Sequence, residues 1–73
     1  MDYVDRLTEM RKDNDVDQTT ISNILGVKQS AVSKYEKRRA LYKIEDLIKL
    51  CEFYGVSADY ILGLPKDLNY PER

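Results

Sequence analysis

The sequence predicts an all-α domain made of five short helices. Apolar residues recur at intervals of three and four along most of the chain, which is the spacing of one face of an α-helix. No run alternates apolar and polar residues over the length of a strand with turn signals at both ends. The chain has 73 residues, and that length supports one small core. We expect residues 1–64 to form the domain and residues 65–73 a C-terminal tail.

The first helix is predicted over about residues 3–12. Asp2 or Asp5 lies near its N-terminal end, where the helix dipole favours a negative charge. Asn and Asp tolerate the left-handed conformation that a tight helix exit needs, so Asn14 or Asp15 is expected to adopt it. The apolar residues of this helix are Tyr3, Val4, Leu7 and Met10.

A second and a third helix are predicted on either side of Gly26. The second covers residues 18–25 with Asp17 as its N-cap, and Gly26 supplies the left-handed residue that ends it. The third begins at Lys28 or Gln29 and ends near Lys37. Helices of about eight residues are unstable alone, so these two must pack on the rest of the chain. The residues expected to face inward are Ile21, Ile24, Leu25, Val32 and Tyr35.

A longer connection leads to the fourth and fifth helices. The fourth is predicted over about residues 43–54 and ends at Gly55, and Ser57 caps a fifth helix over residues 58–62. The residues of the fourth helix expected to be buried are Ile44, Leu47, Ile48 and Cys51, with Leu50 and Tyr54 as further candidates.

Composition excludes several classes of function. The longest stretch without a charged residue, residues 18–27, is too short to span a bilayer, and the chain opens with acidic residues rather than the basic segment of a secretory signal. We therefore expect a cytoplasmic protein. There is no His, and Cys51 is the only Cys, so we expect no disulfide, no metal, no cofactor and no enzyme activity. Cys51 itself is expected to be an inert core thiol.

Positive charge is concentrated in one segment. The net charge of the chain is −1, but residues 28–43 carry six Lys and Arg against Glu36 alone, a local charge of +5. The flanking residues 1–27 and 44–73 each carry a charge of −3. A short basic segment between acidic flanks is typical of a surface that meets phosphates, although a solvated charged loop has the same composition.

The segment QTTISNILGVKQSAVSKYE, residues 18–36, has the pattern of a helix-turn-helix. Gly26 allows the sharp turn, the small Ser22 lies where the helices cross, and the apolar residues fix the angle between them. An ordinary αα-hairpin that does not bind DNA shares parts of this pattern. The third helix, however, presents hydrogen-bonding side chains opposite Val32 and Tyr35 and has no Glu before Glu36. This composition favours a DNA-reading surface over a merely solvated one.

From Leu7 to Leu62 the sequence resembles the DNA-binding domain of the phage lambda repressor and Cro class, the XRE-type helix-turn-helix family. The resemblance covers about 56 of the 73 residues without a gap. Three positions depart from the family pattern: Ser22 replaces the usual Ala, Arg38 a frequent Gly and Tyr42 a frequent Pro. The matching residues are Arg11, Gln18, Gly26, Val27, Ser33, Glu36, the segment IEDLIKLCEFYGVS at residues 44–57 and the segment ADYIL at residues 58–62.

The resemblance implies a five-helix lambda-repressor-like domain that binds double-stranded DNA. The third helix would enter the major groove of an inverted-repeat operator, and the protein would be a dimeric transcriptional regulator, most simply a repressor. Gln29 can make a bidentate pair with adenine, and Lys28 or Lys34 can donate to guanine or to a phosphate. The residues assigned to base reading are Lys28, Gln29, Ser30, Ser33 and Lys34. Those assigned to phosphates are Gln18, Thr19, Lys37, Arg38, Arg39 and Tyr42, although Tyr42 can instead lie over the core.

Two further expectations concern contacts within and between chains. The resemblance implies a partly buried ion pair between Arg11 and Glu36, and Glu36, as the only acid of the basic segment, needs such a partner unless it is simply exposed. More apolar residues follow Ser57 than one small core needs, so a homodimer interface is expected at Tyr60, Ile61, Leu62 and Leu64. The rival interpretation is a protein-interaction module of the same fold, an antitoxin or anti-repressor adaptor that binds an acidic partner.

Overall fold

Five helices make up most of the part of the chain that the structure describes. The computed structural model describes residues 2–64, which contain no strand. The helices are α1 (Tyr3–Asp13), α2 (Gln18–Leu25), α3 (Gln29–Glu36), α4 (Ile44–Tyr54) and α5 (Ala58–Leu62). The predicted all-α, five-helix fold is confirmed. The predicted tail, residues 65–73, lies outside the described residues.

Local chemistry determines where the helices begin and end. The Asp17 carboxylate accepts hydrogen bonds from the backbone N–H and the hydroxyl of Thr20, each at 2.8 Å. These bonds to the charged form hold the pKa of Asp17 below its usual range. Gly26 ends α2 at a φ of 70°, and Asp15, one of the two residues considered, makes the left-handed turn after α1 at a φ of 54°.

The core lies between the five helices, where α3 packs against α1 and α2, α5 packs against α1, and α4 packs against α2 and α5. Val32 is completely buried, and Leu50 and Ile61 are each 1% exposed. Burying a side chain of this size stabilises the fold by roughly 1.5–3 kcal/mol. Ile61 was expected at a dimer interface, and that assignment is wrong because its side chain anchors α5 to the core. The buried core residues are Leu7, Ile21, Leu25, Val32, Tyr35, Leu50 and Ile61.

The buried face of α4 is rotated from the predicted one. Ile44 and Ile48 were expected in the core but are 72% and 53% exposed, whereas Leu50 is buried. Asp46 is also buried, because its carboxylate accepts the backbone N–H of Lys43 at 3.1 Å and so completes the start of the helix. The face of α4 that packs against α2 and α5 is therefore centred on Leu50, and a second apolar stripe of α4, with Ile44 and Ile48, remains exposed.

Candidate nucleic-acid interface

α2 and α3 pack directly against each other around the turn at Gly26 and Val27. The backbone N–H of Val27 donates to the Ser22 carbonyl at 3.0 Å, which closes the turn. Ser22 is buried, and its hydroxyl donates to the Thr19 carbonyl one turn earlier at 2.6 Å. The hydroxyl that replaces the family's usual Ala is therefore satisfied within its own helix.

The outer side of α3 is polar and open to solvent. Lys28, Gln29, Ser30 and Lys34 are exposed and Ser33 is half-buried, while Val32 and Tyr35 face the core. All five residues assigned to base reading are thus accessible from outside. Lys28 precedes the helix without a side-chain capping bond, so its side chain does not occupy the N–H groups of the first turn.

The ion pair between Arg11 and Glu36 joins α1 to the end of α3. Arg11 Nε donates to Glu36 Oε2 at 2.7 Å and Arg11 Nη2 donates to Glu36 Oε1 at 2.9 Å, while Nη1 donates to the Val16 carbonyl at 3.0 Å. The two side chains are 14% and 10% exposed. The hydrogen bonds to Glu36 raise the pKa of Arg11. The expected pair is present, with the two-pronged geometry that makes an arginine–carboxylate contact strong.

Two glutamines extend this pair to the outer side of α3. Gln18 Nε2 donates to Glu36 Oε1 at 2.9 Å, and Gln29 Nε2 donates to Gln18 Oε1. A continuous chain of hydrogen bonds therefore runs from Arg11 through Glu36 and Gln18 to Gln29. The two glutamines were predicted to have separate roles, and their contact was not predicted. The signal for it in the sequence is that each opens a helix of the helix-turn-helix.

Arg38 does not occupy the phosphate-binding role assigned to it. Its guanidinium donates to Asp2 Oδ1 and to Asp5 Oδ1, both at 2.8 Å, at the start of α1. These bonds, the one to Asp5 first, raise the pKa of Arg38. The residue has a φ of 61°, so it takes the left-handed conformation that the family's Gly would adopt. The assignment is corrected: Arg38 ties the end of α3 to α1.

Tyr42 is also placed differently from its assignment. Its ring centroid lies 4.6 Å from that of Tyr35 and 6.3 Å from that of Tyr3. Burial raises the pKa of Tyr42 well above its ordinary value. Of the two possibilities, packing over the core is the one observed, and the phosphate contact is withdrawn.

Four cations near α3 remain uncompensated. Lys28, Lys34, Lys37 and Arg39 are exposed, and within residues 2–64 none of them forms an ion pair. Thr19 is exposed at the start of α2, next to the half-buried Gln18. These four cations lie on or directly beside α3, and Lys43 at the start of α4 is a fifth exposed cation without an ion pair among the described residues.

An apolar groove lies between α4 and α5. It has a volume of about 250 Å³, and Ile44, Ile48 and Leu62 on its walls are exposed. Burial raises the pKa of the Cys51 thiol at its floor, which agrees with an unreactive thiol. Tyr60 and Leu64, assigned to a dimer interface, are 51% and 46% exposed. The residues lining the groove are Ile44, Leu47, Ile48, Cys51, Glu52, Ala58 and Leu62.

The described part of the chain has neither a membrane-spanning helix nor a cluster of metal-binding side chains. None of its helices has the length and apolarity that crossing a bilayer requires. Residues 2–64 also contain no group of three or more acidic or Cys side chains arranged to hold a metal ion.

Comparisons with known proteins agree with this architecture. An uncharacterized HTH-type transcriptional regulator of Bacillus subtilis (strain 168), YobD, is 32% identical over 65 residues, which are 89% of this chain and 58% of that protein. The crystal structure of a transcriptional regulator from Listeria innocua superposes with a TM-score of 0.80 at 22% identity, over 94% of this chain and 64% of the other. The chain thus spans about three fifths of the length of these proteins.

A match to a family profile covers most of the domain. The profile described as Helix-turn-helix matches residues 7–61, from α1 to within α5. This range includes the turn at Gly26, the ion pair between α1 and α3, and the polar outer side of α3. The chain therefore belongs to the Helix-turn-helix family, and its domain is of the XRE type that the sequence resembled.

Proposed function

We propose that residues 1–64 form a sequence-specific DNA-binding domain of a cytoplasmic transcriptional regulator, which places α3 in the major groove. The observation that carries this proposal is the outer side of α3, which is polar and exposed and whose Gln29 is held by a hydrogen-bond chain rooted in a partly buried ion pair. A rigidly supported polar helix suits base reading, because base contacts require defined donor and acceptor positions. The names of the two regulators that resemble the chain support the same reading.

Base reading is assigned to Lys28, Gln29, Ser30, Ser33 and Lys34. In this family geometry the N-terminal part of the recognition helix approaches the base edges first. Gln29 reads adenine through its amide, and Lys28 or Lys34 donates to guanine or to a flanking phosphate. Each bidentate contact is expected to contribute about 1–3 kcal/mol of discrimination against a wrong base.

Phosphate binding is assigned to Gln18, Thr19, Lys37 and Arg39. Gln18 and Thr19 open α2, where the positive end of the helix dipole attracts an anion. Lys37 and Arg39 are exposed and form no ion pair within the described residues. Each such cation that neutralises a phosphate adds about 0.9 to the slope of log affinity against log salt.

A second copy of the chain is assigned to the groove between α4 and α5. Ile44, Ile48 and Leu62 leave a contiguous apolar surface that a monomer would expose to water. Tyr60 and Leu64, which are assigned to the same interface, are also exposed but do not line the groove. A two-fold dimer through it would carry two recognition helices about 34 Å apart onto an inverted repeat, and an occupied promoter would be repressed.

Selection of bound sites from random duplex DNA tests the proposal. The wild-type protein should enrich an inverted repeat. Gln29→Ala should relax preference at one base pair per half-site, whereas Arg39→Ala should weaken binding to all sequences and lower the salt slope by about 1. Lys12→Ala, an exposed cation on α1 outside this surface, is the matched control and should change neither. If no sequence is enriched, the protein-interaction module becomes the better account of the fold.

The dimer assignment has its own test. Ile48→Glu should shift the protein from dimer to monomer in sedimentation, because a charge cannot be buried there without a partner. Phe53→Glu is the control, since Phe53 is 45% exposed on the same helix but lies outside the groove. Equal behaviour of the two variants would place the interface elsewhere.

A further inference from the structure

We infer that Glu36 decides which base Gln29 can read, although Glu36 is a positioning residue that acts only through Gln18. This inference rests on the proposed function. Gln29 opens α3 and Glu36 closes it, so the two lie seven residues, or roughly 10 Å, apart along the helix axis. Glu36 is 10% exposed, and its carboxylate is occupied by Arg11 and Gln18.

The Glu36 carboxylate fixes the orientation of the Gln18 amide. A carboxylate paired with a guanidinium can only accept hydrogen bonds. The end of Gln18 that meets Glu36 Oε1 at 2.9 Å must therefore be its NH₂ group. The reverse orientation would place the amide oxygen against a carboxylate oxygen with no proton between them. The charge on Glu36 thus sets the direction of the Gln18 amide.

The orientation of the Gln18 amide in turn fixes the orientation of the Gln29 amide on α3. Because its NH₂ group faces Glu36, Gln18 turns its carbonyl oxygen to Gln29, which must meet that oxygen with a donor. Gln29 Nε2 is that donor. A glutamine amide has two N–H donors and one oxygen acceptor, so Gln29 keeps one donor and its acceptor for a ligand.

The remaining donor and acceptor of the Gln29 amide match the edge of adenine better than that of guanine. Adenine presents one acceptor, N7, and one donor, N6–H, in the major groove, which complements one N–H and one oxygen. Guanine presents two acceptors, N7 and O6, and would require both N–H groups of Gln29. One of those groups is already bonded to Gln18. The chain from Glu36 therefore selects adenine and rejects guanine at the position that Gln29 reads.

The experiment compares adenine with guanine at that position, which is located as the base pair whose preference Gln29→Ala relaxes. In the wild-type protein the affinity ratio should favour adenine by about 5- to 150-fold, the equivalent of 1–3 kcal/mol. Glu36→Gln allows either end of Gln18 to face position 36, so Gln29 can turn both donors outward and most of the ratio should be lost. Gln18→Met interrupts the chain but leaves Arg11 and Glu36 paired with each other, and it should lose the ratio as well.

Arg11→Lys is the matched control. It removes the two-pronged contact and lowers stability, but it retains the Glu36 carboxylate and hence the direction of Gln18. Its adenine preference should remain near that of the wild type, which separates amide direction from stability. Side-chain NH₂ resonances of Gln18 and Gln29 in ¹H–¹⁵N spectra give a readout without DNA, and both should shift more in Glu36→Gln than in Arg11→Lys.

The outcomes distinguish this inference from the proposed function. If the wild-type protein enriches no site, the proposed function fails, and the NH₂ resonances alone decide whether Glu36 sets the amide direction. If a site is enriched and Gln18→Met retains the adenine preference, the inference is overturned. The inference is also overturned if folded Glu36→Gln retains the adenine preference, or if Arg11→Lys loses that preference to the same extent as Glu36→Gln.

Discussion

Removal of one partner from the partly buried ion pair between Arg11 and Glu36 should be one of the most destabilising single changes in this domain. We expect Glu36→Leu to destabilise the fold, because it leaves the guanidinium of Arg11 only 14% exposed with the Val16 carbonyl as its remaining partner. It also removes the acceptor of the Gln18 amide. The pair lines a small cavity together with the core residues Leu7, Ile21 and Leu50, so water can replace little of what is lost.

The magnitude follows from this burial. Removing one partner of a buried pair costs about 3–5 kcal/mol, whereas an exposed pair contributes less than about 1 kcal/mol. Since both side chains keep some exposure, we expect a loss of about 3 kcal/mol. A chain of 73 residues has a total stability of roughly 4–11 kcal/mol, so this loss is a large fraction of it. The melting temperature should fall by about 12–24 °C.

Urea unfolding followed by far-UV circular dichroism measures this loss. Arg11→Met should destabilise similarly, but the double variant Arg11→Met/Glu36→Leu should recover much of the stability, because it leaves neither charge unpaired. The coupling energy of this cycle should be a few kcal/mol. A loss below about 1 kcal/mol for Glu36→Leu, or additive effects of the two changes, would show that the pair behaves as an exposed one.

Three further predictions concern helix packing and helix ends. Leu50→Ala should lower the free energy of unfolding by about 3 kcal/mol, but Ile44→Ala on the same helix by less than about 0.5 kcal/mol when measured on the monomer. Gly26→Ala should cost about 1–2 kcal/mol in urea unfolding through its φ of 70° alone, because nothing lies within 4 Å of the added Cβ. The pKa of Asp17 is lower in the folded state, so its contribution to stability is complete above about pH 4 and is lost as pH falls through the folded-state value. Asp17→Asn should keep the cap and remove this part of the acid dependence in stability measured from about pH 2 to 5.

Each of these predictions has a result that contradicts it. Equal losses in the free energy of unfolding for Leu50→Ala and Ile44→Ala would show that Ile44 is part of the core. If Gly26→Asn, whose side chain tolerates left-handed backbone, cost more than Gly26→Ala, a steric clash rather than backbone strain would be responsible. An unchanged acid profile in Asp17→Asn would mean that the bond to Thr20 does not stabilise the charged form.

The helix boundaries were predictable because they depend on neighbours only a few residues away. Asp17 caps through Thr20, three residues later, and Gly26 and Gly55 end their helices through a backbone conformation of their own. Segments whose ends are set in this way are recognisable in any context. The helix-turn-helix and the accessible face of α3 followed from the same local information.

The buried stripe of α4 was not predictable in this way. Seven of its eleven residues are apolar, so more than one face could pack inward without an obvious penalty. Contact with α2 and α5 selected the face around Leu50, and the capping role of Asp46 made a buried carboxylate acceptable on it. The exposure of Ile44 and Ile48 is the consequence, and it created the groove.

Side-chain partners far apart in sequence were decided by tertiary structure alone. Charge and residue type placed Arg38 and Tyr42 on a phosphate-binding loop, but a left-handed backbone at Arg38 brought its guanidinium to the acids of α1, and Tyr42 packed on Tyr35. The bond between Gln18 and Gln29 joins residues eleven positions apart and exists only because α2 crosses α3 at that point. Local sequence therefore sets where helices begin, end and expose polar groups, whereas the partners of a long side chain depend on which distant element lies within its reach.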